Sequence, residues 1–153
     1  MRILGIDYGT KRIGIAISDP LGITAQAIAV IGRNNAAKSE NFEAEIKEIK
    51  CLIRKYEGVE EIVVGLPKTL KGEVGEQAKM VLEFVGALRK EFKLNVVTWD
   101  ERLTSVEAEK VLISAGLSRE KRRQVIDKSA ATLILQSYLD HKRKHEPSST
   151  PQL

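Results

Sequence analysis

The chain has 153 residues, 42% of them hydrophobic and 30% charged, which is typical of one globular domain that folds without a disulfide or a structural metal. Cys51 is its only cysteine, and no apolar run approaches the roughly 18 residues of a membrane span; an intrachain disulfide is excluded, and we expect a cytoplasmic protein without a membrane partner. The net charge is +4, but residues 118–145 hold eight basic and three acidic residues, which favours a polyanionic partner or, alternatively, a solubilising helical face.

Three strands are predicted near the start of the chain. Residues 2–7 form a short, mostly apolar run of the kind that is covered on both faces. Residues 12–18 place isoleucines on one face and small residues on the other, and the short glycine-containing turn before them predicts a β-hairpin. A proline and a glycine then interrupt the chain, and residues 25–31 can form the third strand.

Helices and strands alternate over the rest of the chain. The spacing of apolar residues and the capping signals predict a helix over 42–56, a strand over 62–64, a helix over 74–92, a strand over 96–99, a helix from the capping box at Thr104 to Gly116, and a last helix from Ser118 to about residue 145. Residues 146–153, rich in serine and proline, are predicted to form a disordered C-terminal tail.

This order of elements predicts an α/β fold in which residues 1–145 form a single domain. An antiparallel meander that leads into βα units should give a five-stranded mixed sheet with helices on both faces. The topology resembles the ribonuclease H-like fold. That resemblance implies a central first strand, with the strands after the first two helices parallel to it.

Asp7 and Glu101 follow predicted strands, at the ends where ligands gather in α/β sheets. If both strands are parallel, the two carboxylates converge, and a hard divalent cation is the simplest relief of their repulsion. The alternative for Asp7 is a turn residue that accepts backbone N–H groups from the following corner. The alternative for Asp100 is a surface ion pair with Arg102, so Glu101 is the preferred ligand.

Asp127 is the third candidate acid, although a lone helical aspartate is ordinarily a solvated surface residue. Two alanines at positions 130 and 131 would let its helix approach the sheet closely. Arg122, Arg123 and Lys128 stand near it in the sequence and could contact phosphates. Three carboxylates without nearby cysteine or histidine favour Mg²⁺ or Mn²⁺ over zinc. Carboxylate sites that hold two metals serve the in-line attack of water on phosphodiesters.

Four motifs together resemble the YqgF (RuvX) family, whose members are described as Holliday-junction resolvases and as nucleases that mature the 5′ end of pre-16S ribosomal RNA. They are Ile6-Asp7-Tyr8-Gly9-Thr10-Lys11-Arg12-Ile13-Gly14, Val64-Gly65-Leu66-Pro67, Asp100-Glu101-Arg102-Leu103-Thr104 and Asp127-Lys128-Ser129-Ala130-Ala131. Each motif alone is weak, but all four occur in the right order, and the resemblance extends from Met1 to about Lys142.

The resemblance implies that Asp7, Glu101 and Asp127 are the catalytic and metal-binding acids of a two-metal hydrolase. It implies a substrate of precursor ribosomal RNA or branched DNA, and with it a ribosomal particle or a homodimer as partner. Its Gly-Leu-Pro loop corresponds to residues 65–67. The candidate nucleic-acid contacts are the basic residues in and around the motifs: Lys11, Arg12, Lys68, Lys71, Arg102, Arg122, Arg123 and Lys128.

Two other functions stay open on the sequence alone. The Asp7-Tyr8-Gly9-Thr10 segment also resembles the first phosphate loop of the actin, Hsp70 and sugar-kinase superfamily. Those proteins close two such lobes around ATP, and this chain has the length of one. A non-catalytic RNA-binding protein of ribosome assembly would keep the fold and the basic residues but not need the acids.

Overall fold

Five strands and three helices make up the part of the chain that the computed structural model describes, which is residues 1–33, 42–67, 75–101, 116 and 118–144, with the backbone alone for residues 119–129. The elements are β1 (Arg2–Tyr8), β2 (Arg12–Ser18), β3 (Ala25–Gly32), α1 (Glu43–Lys55), β4 (Val59–Leu66), α2 (Glu76–Glu91), β5 (Asn95–Asp100) and α3 (Arg119–Lys144).

The strands form one sheet in the order β3-β2-β1-β4-β5. β1 pairs with β2, and β2 with β3, in antiparallel fashion. β1, β4 and β5 run parallel, so their carboxyl ends share one edge of the sheet, here called the carboxyl edge. The sheet is therefore mixed and five-stranded with β1 at its centre, which confirms the fold predicted from the sequence.

One face of the sheet carries the larger core, under α1 and α2. Alternate strand residues such as Leu4 and Ile6 point to this face, and Phe84 of α2 is fully buried against them. The three isoleucines of β2 belong to the same cluster, as their alternation predicted. Burial of these side chains is the main stabilising contribution of the sheet.

The opposite face is covered by α3. Ile3 and Val63 of the sheet pack there against Ala131, Leu135 and Leu139 of the helix. The helix lies unusually close to the sheet at Gly5, where a Cβ would stand 2.7 Å from the Cβ of Leu135. Helices thus cover both faces, as predicted, and α3 is held tightly enough to bring its first half over the carboxyl edge.

The observed strands are longer than the predicted ones at both ends of β4 and β5. Polar residues stand in the first part of both strands. Glu61 of β4, only 7% exposed, is covered by partners from elsewhere in the chain, which the local pattern does not reveal. The helix predicted over 104–116 and the tail over 146–153 lie outside the described residues, apart from Gly116, whose φ of +77° suits a helix end. Within the described part of the chain, no helix is both long and apolar enough to cross a membrane.

Candidate active site at the carboxyl edge

Asp7 lies near the end of the central strand with a glycine beside it on each neighbouring strand. It pairs with Gly14 of β2. On the other side, the parallel register joins Ile6 to Val64, which places Gly65 next to Asp7. Because neither neighbour has a side chain, both leave room beside the carboxylate on the α3 face. Burial raises its pKa above the ordinary value of 3.8.

Glu101 follows β5 directly and reaches back across Gly65 toward Asp7. A Cβ at Gly65 would lie 2.7 Å from Oε1 of Glu101 and 3.1 Å from its Cγ, so the glutamate occupies the space that the glycine leaves. Burial, followed by repulsion from Asp7 and from Asp100, raises the pKa of Glu101 to about 7. Asp7 is therefore close enough to Glu101 for its negative charge to disfavour ionisation of the glutamate.

This pair of acids fits a divalent cation chemically. Two desolvated carboxylates that repel each other are stabilised by a hard cation with oxygen ligands, and Mg²⁺ is commonly held in proteins by one or two carboxylates. Among the side chains that the structure describes, no three His, Cys, Asp or Glu residues are grouped so that they could hold a metal ion. A third protein ligand would have to come from the rest of the chain.

Asp127 is placed in α3 by its backbone alone. It precedes Ala131 by one helical turn, on the same face of the helix. The Cβ of Ala131 lies 3.4 Å from where a Cβ at Gly14 would stand, and Gly14 pairs with Asp7. The helix register thus brings position 127 to the carboxyl edge. Its carboxylate lies outside the described side chains, so its part in the site stays a prediction.

A cleft of about 610 Å³ opens beside Asp7. Small residues from β2, β3 and α3 line it: Gly14, Ala27, Ala29, Ala130 and Ala131. Lys11, in the turn between β1 and β2, and Arg12, the first residue of β2, line the same cleft and are exposed. The structure therefore brings these two predicted phosphate contacts together with the first predicted acid.

The other predicted phosphate contacts are not tested by the structure. Lys68, Lys71 and Arg102 lie outside the described residues, and Arg122, Arg123 and Lys128 belong to the part of α3 for which only the backbone is described. The alternative considered for Asp100, a surface ion pair with Arg102, lies outside the described part for the same reason.

The far end of α3 neutralises part of its positive charge in ion pairs, one with the buried Glu61 and one with Asp140 on the surface. Nζ of Lys142 lies 3.4 Å from Oε1 of Glu61, and Nη2 of Arg143 lies 2.5 Å from Oδ1 of Asp140. This end packs near the amino ends of the parallel strands, away from Asp7. The charge excess over residues 118–145 is therefore not one uniform surface for a polyanion.

Arg33 is a residue that the sequence analysis missed. It follows β3 immediately, and its side chain, 9% exposed, reaches the turn that carries Lys11. No motif marks it. The available signal was its position directly after an apolar strand, where a charged side chain needs partners inside the protein.

Comparisons with known proteins place this site in a family. The family model named RuvX, described as Holliday junction resolvase, matches residues 1–141. The chain belongs to the RuvX family. Among its relatives are proteins of Moorella thermoacetica, 54% identical over 140 residues (92% of this chain and 95% of the relative), and of Halothermothrix orenii, 51% identical over 144 residues (94% and 98%). Both relatives carry the name "Putative pre-16S rRNA nuclease".

A solved structure supports the fold independently of close sequence similarity. Thermus thermophilus RuvC in complex with a Holliday junction substrate matches with a TM-score of 0.59 at 13% identity, over 94% of this chain and 96% of that one. A second structure of Thermus thermophilus RuvC matches with a TM-score of 0.56. The RuvX-family chain thus has a RuvC-like, ribonuclease H-like fold, as its element order predicted.

Proposed function

We propose that this chain is a metal-dependent nuclease that hydrolyses phosphodiester bonds of nucleic acid, with residues 1–145 as one nuclease domain and 146–153 as a tail. The observation that carries the proposal is the pairing of Asp7 with Glu101 over Gly65, beside a cleft lined by Lys11 and Arg12. Acids that repel each other next to exposed cations suit a metal bound together with a phosphate.

Asp7, Glu101 and Asp127 would hold the metal, Mg²⁺ or Mn²⁺. Bound there, such an ion supplies Lewis acidity that activates water and stabilises the departing oxygen, and a pair of ions would do both at once. The protein's own contribution is to hold the two acids in place through β1 and β5. Lys11 and Arg12 would hold the substrate's phosphates at the cleft.

Precursor ribosomal RNA is the substrate that the relatives favour, because the name of proteins about half identical over nearly the whole chain refers to pre-16S rRNA. The action would then be in the cytoplasm, on a ribosomal particle, at the 5′ end of the precursor. The description of the family model favours a second candidate, the Holliday junction. Its two symmetric cuts would require two active sites and therefore a homodimer.

The test is cleavage by the parent and by Asp7→Asn, with Mg²⁺ or Mn²⁺, of labelled precursor 16S rRNA, four-way junction, duplex DNA and single-stranded DNA. Asp7→Asn removes the ligand charge without changing shape, so we expect at least a roughly hundredfold loss of cleavage. Because burial already disfavours the charge of Asp7, the variant should unfold no more easily than the parent. Product sizes separate endonuclease from exonuclease action, and the native mass separates monomer from dimer.

Asp140→Asn is the matched control, since it removes an equal charge from an exposed ion pair on α3. It should cleave as the parent does. Equal cleavage by Asp7→Asn and parent would contradict the site. Tight ATP binding without cleavage would favour the actin-like module instead, and RNA binding that needs neither metal nor the acids would favour the non-catalytic assembly protein.

A further inference from the structure

Arg33 ties the end of β3 to the turn between β1 and β2. Its backbone N–H donates to the carbonyl oxygen of Lys11 at 2.9 Å. Its Nη1 donates to the carbonyl oxygen of Gly9 at 2.9 Å and to that of Thr10 at 3.5 Å. Three consecutive carbonyls of this turn are therefore held by one residue, from its main chain and its side chain together.

The guanidinium is fixed on its other sides as well. It lies 4.4 Å from the centre of the Tyr8 ring, and that ring stacks on Phe84 with centroids 4.4 Å apart. Nε of Arg33 lies 3.8 Å from Oε1 of Glu45, whose side chain is only 14% exposed. A planar cation between an aromatic face, a carboxylate and backbone carbonyls has little freedom to move.

The turn that Arg33 holds is the one that places cations at the cleft. Lys11 and Arg12 line the cleft with Asp7, and the turn closes by a hydrogen bond from the Gly9 N–H to the Arg12 carbonyl oxygen at 3.0 Å. Gly9 has no room for a side chain, because a Cβ there would lie 2.6 Å from that same oxygen. The position of both basic side chains therefore depends on a tight turn whose carbonyl groups are held by Arg33.

We propose that Arg33 is a positioning residue for nucleic-acid binding. It touches no substrate, since its side chain is almost completely buried. Its fork fixes the Gly9–Arg12 turn so that Lys11 and Arg12 meet the phosphates beside Asp7 without first having to be ordered. The inference rests on the proposed function in one respect, that these two cations bind nucleic acid.

The test compares Arg33→Lys with Arg89→Lys. Both changes keep the charge and lose the planar fork. Arg89 is a matched control because its Nε and Nη2 both donate to a backbone carbonyl, that of Val96, remote from the cleft. The measurements are KM and kcat for a labelled 16S rRNA precursor fragment, its binding by fluorescence anisotropy in EDTA over a range of salt, and hydrogen exchange of the Gly9 amide.

For Arg33→Lys we expect KM to rise about tenfold with kcat within about twofold, because phosphate contacts are lost while the acids keep their place. Binding in EDTA should weaken by a similar factor with a shallower salt dependence, and exchange at Gly9 should accelerate about tenfold or more as its turn opens. Arg89→Lys should change none of these, whatever it does to the melting temperature.

The inference is overturned if Arg33→Lys matches Arg89→Lys in KM, binding and Gly9 exchange, or if kcat falls while KM stays the same. Failure of the proposed function has a different signature, which is a parent that cleaves none of the tested nucleic acids. In that event the positioning role of Arg33 is still decided by RNA binding measured in EDTA and by hydrogen exchange of the Gly9 amide. Weaker binding with faster exchange in Arg33→Lys supports the positioning role, and parental values of either reject it.

Discussion

Replacing Glu101 by glutamine should stabilise the metal-free protein at alkaline pH while it removes cleavage. The reason is the raised pKa of Glu101, about 7 in the folded protein. Burial and the neighbouring charges of Asp7 and Asp100 oppose its ionisation. Above that pH the parent must carry the unfavourable charge, whereas a glutamine in the same space carries none.

The sign and the size of the effect follow from proton linkage. Between pH 4.5 and about 7 the folded state holds a proton on Glu101 that the unfolded state has released, so the free energy of unfolding of the parent falls as the pH rises. At 1.36 kcal/mol per pH unit the rise from 4.5 to about 7 corresponds to roughly 3 kcal/mol. Glu101 is only partly buried, and solvent screening should reduce this to about 1–2 kcal/mol.

The assay is urea unfolding in EDTA at pH 5 and pH 8.5, for the parent, Glu101→Gln and Glu91→Gln. The last removes an exposed carboxylate of α2 that pairs with Lys50 and controls for the change in net charge. The advantage of Glu101→Gln over the parent should be about 1–2 kcal/mol larger at pH 8.5 than at pH 5. Added Mg²⁺ at pH 8.5 should stabilise the parent more than the variant. An advantage that is the same at both pH values would refute the reasoning.

Two further substitutions test the packing around and away from the site. Gly65→Ala would place a Cβ 2.7 Å from Oε1 of Glu101 and 2.5 Å from Cδ1 of Ile134. Metal-dependent cleavage should therefore fall about tenfold or more. Gly86→Ala is the control, because a Cβ there would have no atom within 4 Å, and this variant should cleave as the parent does. Tyr138→Phe removes the hydroxyl that donates to the buried Glu61 at 2.6 Å. The free energy of unfolding in urea should fall by about 1–3 kcal/mol, and cleavage should stay unchanged. Loss of cleavage in this variant would contradict the distance of Glu61 from the active site.

The fold was predictable because hydrophobic periodicity and turn residues indicate where its strands and helices begin and end. The alternation over residues 12–18 and the apolar run over 2–7 predicted the hairpin. The parallel direction of the later strands was implied by the resemblance to the ribonuclease H-like fold. The missed start of β4 had a tertiary cause. Glu61 is buried because Asn95, Tyr138 and Lys142 reach it from distant parts of the chain, and no local window contains that information.

The placement of Asp7 and Glu101 at the carboxyl edge was predictable, but the residues that support them were not. Asp7 and Glu101 stand at the ends of apolar strands, which is a local signal. Their strands are not neighbours, because β4 lies between them, and Glu101 reaches toward Asp7 across Gly65 of β4. Arg33 has no comparable signal, because its importance lies in the carbonyls of a turn more than twenty residues earlier. Gly65 was noted as part of a loop motif, but only the structure shows that its missing side chain is the space Glu101 fills.

The same geometry explains why the acids stand where they do. A side chain at Gly65 would push Glu101 away from Asp7, and the repulsion between the two carboxylates would then fall. The fold instead keeps them together, at the cost of a Glu101 that resists ionisation near neutral pH. Two neighbouring carboxylates destabilise the folded protein when no cation is bound. A bound cation makes their contribution to stability favourable, because both carboxylates then act as its ligands. We therefore infer a metal site from two residues whose interaction with each other is unfavourable.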